Sequence, residues 1–187
     1  MNNGKFDGDG KLEFSRPEEI RKVQEGLLKK HALYCAAHSP YYRALFKAQG
    51  IDAAQITINT LHHLPFTDKT VLGQHDDQFL AAPKSAIVDM VLSSGTTGKP
   101  TTMMYTEKDL QRLAYNEEIS FASCGLTKDD VVLLTCTIDR CFIAGLAYFS
   151  GVRSLGAAAI RNGLSSVESH LDIIQRLKPT VIVGVPS

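Results

Sequence analysis

The chain has 187 residues, 44% of them apolar, and its 20 basic and 20 acidic residues give a formal net charge of zero. This corresponds to one domain of ordinary size with enough apolar residues for a buried core. The balanced charge, without a basic run, argues against a nucleic-acid or membrane surface, and no leader peptide opens the sequence. The four cysteines have neither CxxC spacing nor histidines at metal-site spacing. They predict free thiols in a reducing compartment, no metal site and a cytoplasmic protein.

Residues 1–14 are rich in Gly, Asp and Asn and are expected to be a flexible N-terminus, whereas residues 15–84 predict a helical lead-in. Ser15 is expected to cap a first helix that has Pro17 in its first turn and ends at Ser39-Pro40. A second helix over Tyr41 to Gln49 should close at Gly50, and a third should start at Thr67.

From residue 85 to residue 187 the pattern changes to alternating strands and helices. A strand over Ile87 to Leu92 and another over Thr101 to Tyr105 bracket a loop, and Thr106 with Asp109 predicts a capping box. The later elements are a helix to Cys124, a strand Val131–Cys136, a helix Phe142–Leu155, a strand Ala157–Ile160, a helix from Ser165 or Ser166 to Lys178, and a strand Val181–Val183. Apolar strands alternating with helices predict an α/β fold with a mostly parallel sheet flanked by helices. Its crossovers should be right-handed, and ligands should bind at the carboxyl ends of its strands.

The loop between the first two strands has the composition of a phosphate-binding loop. Its candidate residues are Ser93, Ser94, Gly95, Thr96, Thr97, Gly98 and Lys99. Backbone amides and hydroxyls can surround a polyphosphate, with lysine as a point charge and glycine allowing close approach. The order is not that of a Walker A loop, because Pro100 follows the lysine and biases it away from a helix. A plain Ser/Thr/Gly connector that binds nothing is the alternative.

The run from Ser93 to Pro100 resembles the phosphate-loop signature of the adenylate-forming (AMP-binding) superfamily. Residues Ser39–Arg43, Leu64–Lys69, Tyr105-Thr106 and Asp109-Leu110 are similar to the phenylacetate-CoA ligase branch. The resemblance implies that the chain is part of the large N-terminal domain of an AMP-forming acyl-CoA ligase. Such an enzyme uses ATP and Mg²⁺ to activate a small carboxylic acid, and coenzyme A or another thiol acceptor then takes the acyl group. The loop's implied role is to hold the β- and γ-phosphates.

The resemblance also bears on the acyl pocket and on assembly. In the phenylacetate-CoA ligase branch an aromatic, glycine-rich stretch lines the acyl pocket, and here it corresponds to Thr137, Asp139, Phe142 and Gly145. Thr137 and Asp139 stand where tyrosines are common, which implies a smaller, polar or otherwise different acid. Alternatively, Asp139 caps a helix or pairs with Arg140 on the surface, and Phe142 belongs to the core. A homodimer is among the states that the resemblance allows.

The sequence ends just after an apolar strand, which would leave an uncovered sheet edge. We therefore expect the chain to be the N-terminal part of a longer ligase and to be inactive alone. The groups for adenine and ribose and the catalytic lysine would then lie beyond residue 187, and catalytic residues within the chain stay unassigned. The alternative is a non-catalytic nucleotide-binding or assembly module of a split or truncated relative.

Overall fold

A computed structural model describes residues 12–93 and 100–185, and these residues form two compact units that divide in sequence between Met104 and Tyr105. Residues 12–104 are called the helical unit and residues 105–185 the α/β unit. The division at residues 84 and 85 that the sequence suggests stays a prediction. None of the described helices is long and apolar enough to cross a membrane.

The helical unit contains three α-helices and a pair of strands. Their bounds are α1 (Pro17–His38), α2 (Pro40–Gln49), α3 (Lys69–Phe79), β1 (Ile87–Leu92) and β2 (Thr102–Thr106), the last of which runs into the α/β unit. Short 3-10 helices cover Leu12–Phe14, Ala53–Gln55, Leu61–His63 and Lys84–Ala86. The core of this unit brings together Ala32, Phe46, Ala53 and Ile56.

Two predicted helix ends in this unit have different outcomes. Gly50 ends α2 in the left-handed conformation with φ 64°, which confirms the predicted cap. The predicted cap at Ser15 is wrong, because Pro17 takes the first helical position and Arg16 becomes the N-cap. Arg16 supplies no capping hydrogen bond, and its guanidinium pairs with Glu19 instead. The start of α1 thus relies on its proline and its acidic first turn.

The α/β unit alternates helix and strand. Its elements are α4 (Glu107–Ser123), β3 (Val131–Leu134), α5 (Ile143–Leu155), β4 (Ala158–Arg161), α6 (Val167–Leu177) and β5 (Val181–Val183). The strands form a parallel sheet in the order β4-β3-β5. The mixed α/β class and the parallel sheet are as the sequence predicts, and Thr106 with Asp109 forms the predicted capping box at the start of α4.

The central strand β3 carries the core of this unit. Val132, Leu133 and Leu134 are each 0% exposed. Val132 and Leu134 point to one face, where they join Phe121 of α4 and Val152 of α5 in a single apolar cluster. Leu133 points to the opposite face, so β3 is buried on both sides, as its uninterrupted apolar sequence requires.

The entry to β3 is joined to the entry to β5 by hydrogen bonds to one carboxylate. Asp130 accepts the backbone N–H of Thr127 at 2.7 Å and the hydroxyl of Thr180 at 2.7 Å. The Thr180 hydroxyl oxygen in turn accepts the backbone N–H of Val131 at 3.0 Å. The hydrogen bond from the Thr127 backbone, followed by that from Thr180, holds the pKa of Asp130 below its usual value.

Asp130→Asn should therefore destabilise the α/β unit in a pH-dependent way. A carboxyl whose pKa is lowered by folding stabilises the fold above its ordinary pKa, and this contribution is lost as the pH falls through the lowered value. We expect the variant to have a lower unfolding midpoint than the parent at pH 7 and the difference to shrink towards pH 3. Urea midpoints across that range measure it, and Asp129→Asn is the matched control. A difference that stays constant with pH would contradict this role of Asp130.

A second stability prediction concerns Gly145 of α5, which is buried against the preceding loop. A Cβ atom at this position would overlap the backbone carbonyl oxygen of Thr137. Gly145→Ala should therefore destabilise the protein by about 1–3 kcal/mol, because the loop has to move. Gly26→Ala is the matched control, since Gly26 lies in α1 with no atom within 4 Å of an added Cβ. That substitution should raise stability by about 0.5–1 kcal/mol. Thermal unfolding of both variants is the measurement, and equal effects would contradict the close contact.

Candidate functional site

The predicted phosphate loop is held at its two ends by β1 and β2. Of its candidate residues, Ser94, Gly95, Thr96, Thr97, Gly98 and Lys99 lie outside the described residues, and Ser93 lies within them. The Ser93 N–H donates to the carbonyl oxygen of Thr101 at 3.0 Å, and the Thr101 N–H donates to Ser93 Oγ at 2.9 Å. These two hydrogen bonds fix the loop's ends next to each other.

Thr101 carries an unusual hydroxyl at the base of this loop. The residue is 3% exposed, and no described residue gives its Oγ1 atom a hydrogen bond. A buried hydroxyl without a partner costs about 1–3 kcal/mol, so such groups need an explanation. A polar ligand, or one of the loop residues outside the described part of the chain, would supply the missing partner.

A cleft of about 530 Å³ opens at the carboxyl-terminal end of the parallel sheet. It lies at the carboxyl ends of β3 and β4 and is called here the β3–β4 cleft. Its lining residues are Cys136, Thr137, Ile138, Asp139, Arg140, Arg161, Asn162, Gly163 and Leu164. The first five follow β3 and the last four end or follow β4.

The strand order makes the carboxyl ends of β3 and β4 the expected place for a ligand. Helix α5 leads from β3 to β4 on one side, and α6 then leads from β4 past β3 to β5 on the other side. Right-handed crossovers in opposite directions place α5 and α6 on opposite faces of the sheet. The loops after β3 and β4 therefore diverge, and a crevice opens at this switch point.

Two of the four candidate pocket residues line the cleft. Thr137 and Asp139 lie in its wall, where the Thr137 hydroxyl donates to the Asp139 carboxylate. Phe142 is the N-cap residue of α5, is 36% exposed and does not line the cleft. Gly145 is the third residue of α5, and its missing side chain lets α5 approach the loop that carries Thr137.

The charges in the cleft come mainly from residues that were not predicted as part of the site. Arg161, the last residue of β4, has its guanidinium 5.1 Å from the centre of the Phe149 ring. Asn162 next to it is hydrogen-bonded through Nδ2 to Nδ1 of His170 at 2.9 Å. Since an amide nitrogen only donates, His170 Nδ1 is the acceptor in this arrangement.

The loop after β4 could have been found from the sequence. It follows an apolar strand of the predicted sheet, and carboxyl ends are where ligands bind. The sequence does not show, however, that β4 lies next to β3. The family resemblance points only to the loop after β3.

Cys136 is the cysteine that lines the β3–β4 cleft. Burial raises the pKa of the Cys136 thiol, which therefore stays protonated near pH 7. All four cysteines are free thiols. Within residues 12–93 and 100–185, no group of three or more His, Cys, Asp and Glu side chains is placed to hold a metal ion.

Comparisons with known proteins agree on the family. The model of the AMP-binding enzyme family matches residues 23–187. Phenylacetate-coenzyme A ligases from Thermus thermophilus and Aromatoleum evansii are 33% and 29% identical to the chain over 178 residues. These alignments cover 94% of the chain and 40% of each relative, so the chain spans less than half the length of these curated relatives.

Solved structures show the same fold. A crystal structure of 2-hydroxyisobutyryl-CoA ligase in complex with 2-HIB-AMP and CoA superimposes with a TM-score of 0.83 at 20% identity. The match covers 97% of this chain and 42% of that one. An open conformation of the same ligase gives a TM-score of 0.82 at 18% identity. The family match over most of the sequence, together with this shared fold, shows that the chain belongs to the AMP-binding enzyme family.

Proposed function

We propose that the complete protein is an AMP-forming acid–thiol ligase that converts a carboxylic acid to an acyl-adenylate and then to a thioester of coenzyme A. The observation that carries this is the similarity to phenylacetate-coenzyme A ligases over 94% of the chain, which includes the phosphate-loop sequence. A cytoplasmic location, where ATP and coenzyme A are available, belongs to the same proposal.

The reaction poses an electrostatic problem. In the first step a carboxylate oxygen attacks the α-phosphorus of ATP, and the bond to the bridging oxygen breaks as pyrophosphate leaves. A thiol sulfur then attacks the acyl carbon, and AMP leaves. An anion must approach a polyanion in the first step, so oriented donors and positive charge lower its barrier. Mg²⁺, when bound, supplies part of that charge.

The phosphate loop is the proposed holder of the ATP phosphates. Ser93 to Lys99 offer hydroxyls, backbone amides and one ammonium group, and glycines at 95 and 98 permit close approach. The Thr101 hydroxyl, which has no partner among the described residues, supports a polar ligand at this end of the hairpin. Among the described residues no three His, Cys, Asp or Glu side chains come together, and no residue is assigned to Mg²⁺.

The β3–β4 cleft is the proposed binding place of the acid. It combines a volume of about 530 Å³ with a few polar groups at a switch point of the sheet. Thr137 and Asp139 replace the aromatic residues that the related ligases often carry at this place. The acid is therefore proposed to be more polar than phenylacetate.

A first test is acid-dependent exchange of pyrophosphate into ATP by the complete protein. With Mg²⁺ and a panel of aryl and short-chain acids, we expect exchange that does not require coenzyme A, followed by thioester formation when it is added. Lys99→Ala should slow the exchange at least about tenfold, because a charged phosphate contact is lost. The control is Lys108→Ala, on the exposed first turn of α4. Unchanged kinetics in Lys99→Ala would remove Lys99 from the mechanism, and no exchange with any acid would favour a non-catalytic module.

Thr101→Val tests the unpartnered hydroxyl separately. Valine has nearly the same shape, and removing an unsatisfied buried hydroxyl should leave the unfolding midpoint equal or higher. If the hydroxyl contacts the nucleotide or holds a residue of the phosphate loop, the KM for ATP in the exchange reaction should rise several-fold. Thr102→Val next to it is the control. A lower midpoint with an unchanged KM would show that Thr101 is structural only.

A further inference from the structure

The β3–β4 cleft carries more positive charge than its acidic residue neutralises. Arg140 follows β3, Arg161 ends β4, and Asp139 is the carboxylate among the lining residues. Asp139 already accepts a hydrogen bond from Thr137. In the described part of the chain, ion pairs join Arg16, Arg112 and Arg176 to acidic side chains, and neither arginine of the cleft has one. The cleft thus offers an uncompensated cationic site.

Arg161 is held in a way that keeps its donors available. Its guanidinium lies 5.1 Å from the centre of the Phe149 ring, and that of Arg153 lies 5.6 Å from the same ring. A cation over an aromatic face is attracted electrostatically to the ring, and this attraction does not require a hydrogen bond from any of its N–H groups. No described residue accepts a hydrogen bond from this planar fork of five donors, and the fork matches the two oxygens of a carboxylate.

Arg140 lies in a strained turn on the other side of the cleft. Arg140 has φ 56° and the next residue, Cys141, has φ 59°, so two consecutive non-glycine residues adopt the left-handed conformation. Each such residue costs about 1–2 kcal/mol, and strain of this kind concentrates at ligand clamps. The turn sets Arg140 at the cleft immediately before α5 begins at Ile143.

We propose that the cleft selects an acid that carries a second carboxylate at its far end, and that Arg161, assisted by Arg140, binds this second group. The inference rests on the proposed function, since it names the substrate class of the same ligase. One carboxylate of the substrate reacts with ATP, and the other is held by the guanidinium fork. Arg161 is then a specificity-determining residue that takes no part in the bond changes.

The test compares matched acids in the exchange reaction of the complete protein without coenzyme A. The pairs are succinate with butyrate, adipate with hexanoate, and terephthalate with benzoate. We expect kcat/KM to be about tenfold or more higher for the better dicarboxylate than for its monocarboxylate partner, since a charge-assisted bidentate contact is made to one of them only. The difference should appear mainly in KM.

Three variants assign the effect to Arg161. Arg161→Gln should abolish the preference by lowering kcat/KM for the dicarboxylate about tenfold and leaving the monocarboxylate nearly unchanged. Arg161→Lys should restore part of it, because the charge is kept and the fork is lost. Arg153→Gln is the matched control, since Arg153 shares the Phe149 ring but does not line the cleft. Thermal unfolding of each variant checks that it is folded.

Several outcomes would overturn the inference. One is a preference for monocarboxylates, and another is an equal loss for both acids in a folded Arg161→Gln variant. If Arg161→Gln raised only the KM for coenzyme A in thioester formation, the bound anion would be a phosphate of that cofactor. Exchange with monocarboxylates alone would leave the proposed function standing and refute the second-carboxylate site, whereas no exchange with any acid would refute both.

Discussion

The parallel pairing of β3 with both of its neighbours is the constraint on which the α/β unit depends. Val132, Leu133 and Leu134 have no exposed surface, and this is achieved only when strands flank β3 and other residues cover both of its faces. Pairing also lines up the carboxyl ends of β3 and β4, where Leu134 lies opposite Arg161. The loops that leave these two ends must diverge to helices on opposite faces. The cleft is thus a consequence of the pairing and burial of β3.

The polar side chains in the walls of the cleft are held in place by neighbouring elements. On the β3 side, Gly145 lets α5 pack tightly against the carbonyl of Thr137, so the loop has little room to shift. On the β4 side, Asn162 is hydrogen-bonded to His170 of α6. Arg161 is positioned by Phe149, which belongs to α5 and packs against the same apolar cluster as β3. Charged groups mounted on such supports lose less conformational entropy when they bind a ligand.

The phosphate loop of the β1–β2 hairpin is supported differently from the cleft. There the ends of the phosphate loop are joined by two hydrogen bonds between Ser93 and Thr101. The buried Thr101 hydroxyl is left without a partner among the described residues. Natural proteins tolerate such a cost mainly where a ligand or a second conformation satisfies the group.

Local signals in the sequence were sufficient for most element boundaries. The capping box of Thr106 and Asp109 and the left-handed glycines Gly50 and Gly156 act within a few residues, so they can be found without knowing the fold. The strand after Asp130 is shorter than predicted, ending at Leu134 instead of Cys136, because Leu134 is the last residue that lies in register with both β4 and β5. The cap at Ser15 was wrong for an equally local reason, since the position of Pro17 moved the first turn by one residue.

The sequence alone therefore determined the alternation of elements, the parallel α/β class and the family resemblance, because each depends on spacing or on a contiguous motif. Tertiary structure alone decided that Arg161 shares a cleft with Thr137 and Asp139, because strand order is set by which apolar faces bury one another. It also decided that Phe142 caps α5 outside the cleft, because the left-handed pair Arg140 and Cys141 turns the chain before that residue. No periodicity in the sequence encodes such a turn, since non-glycine residues adopt it only when their surroundings impose it.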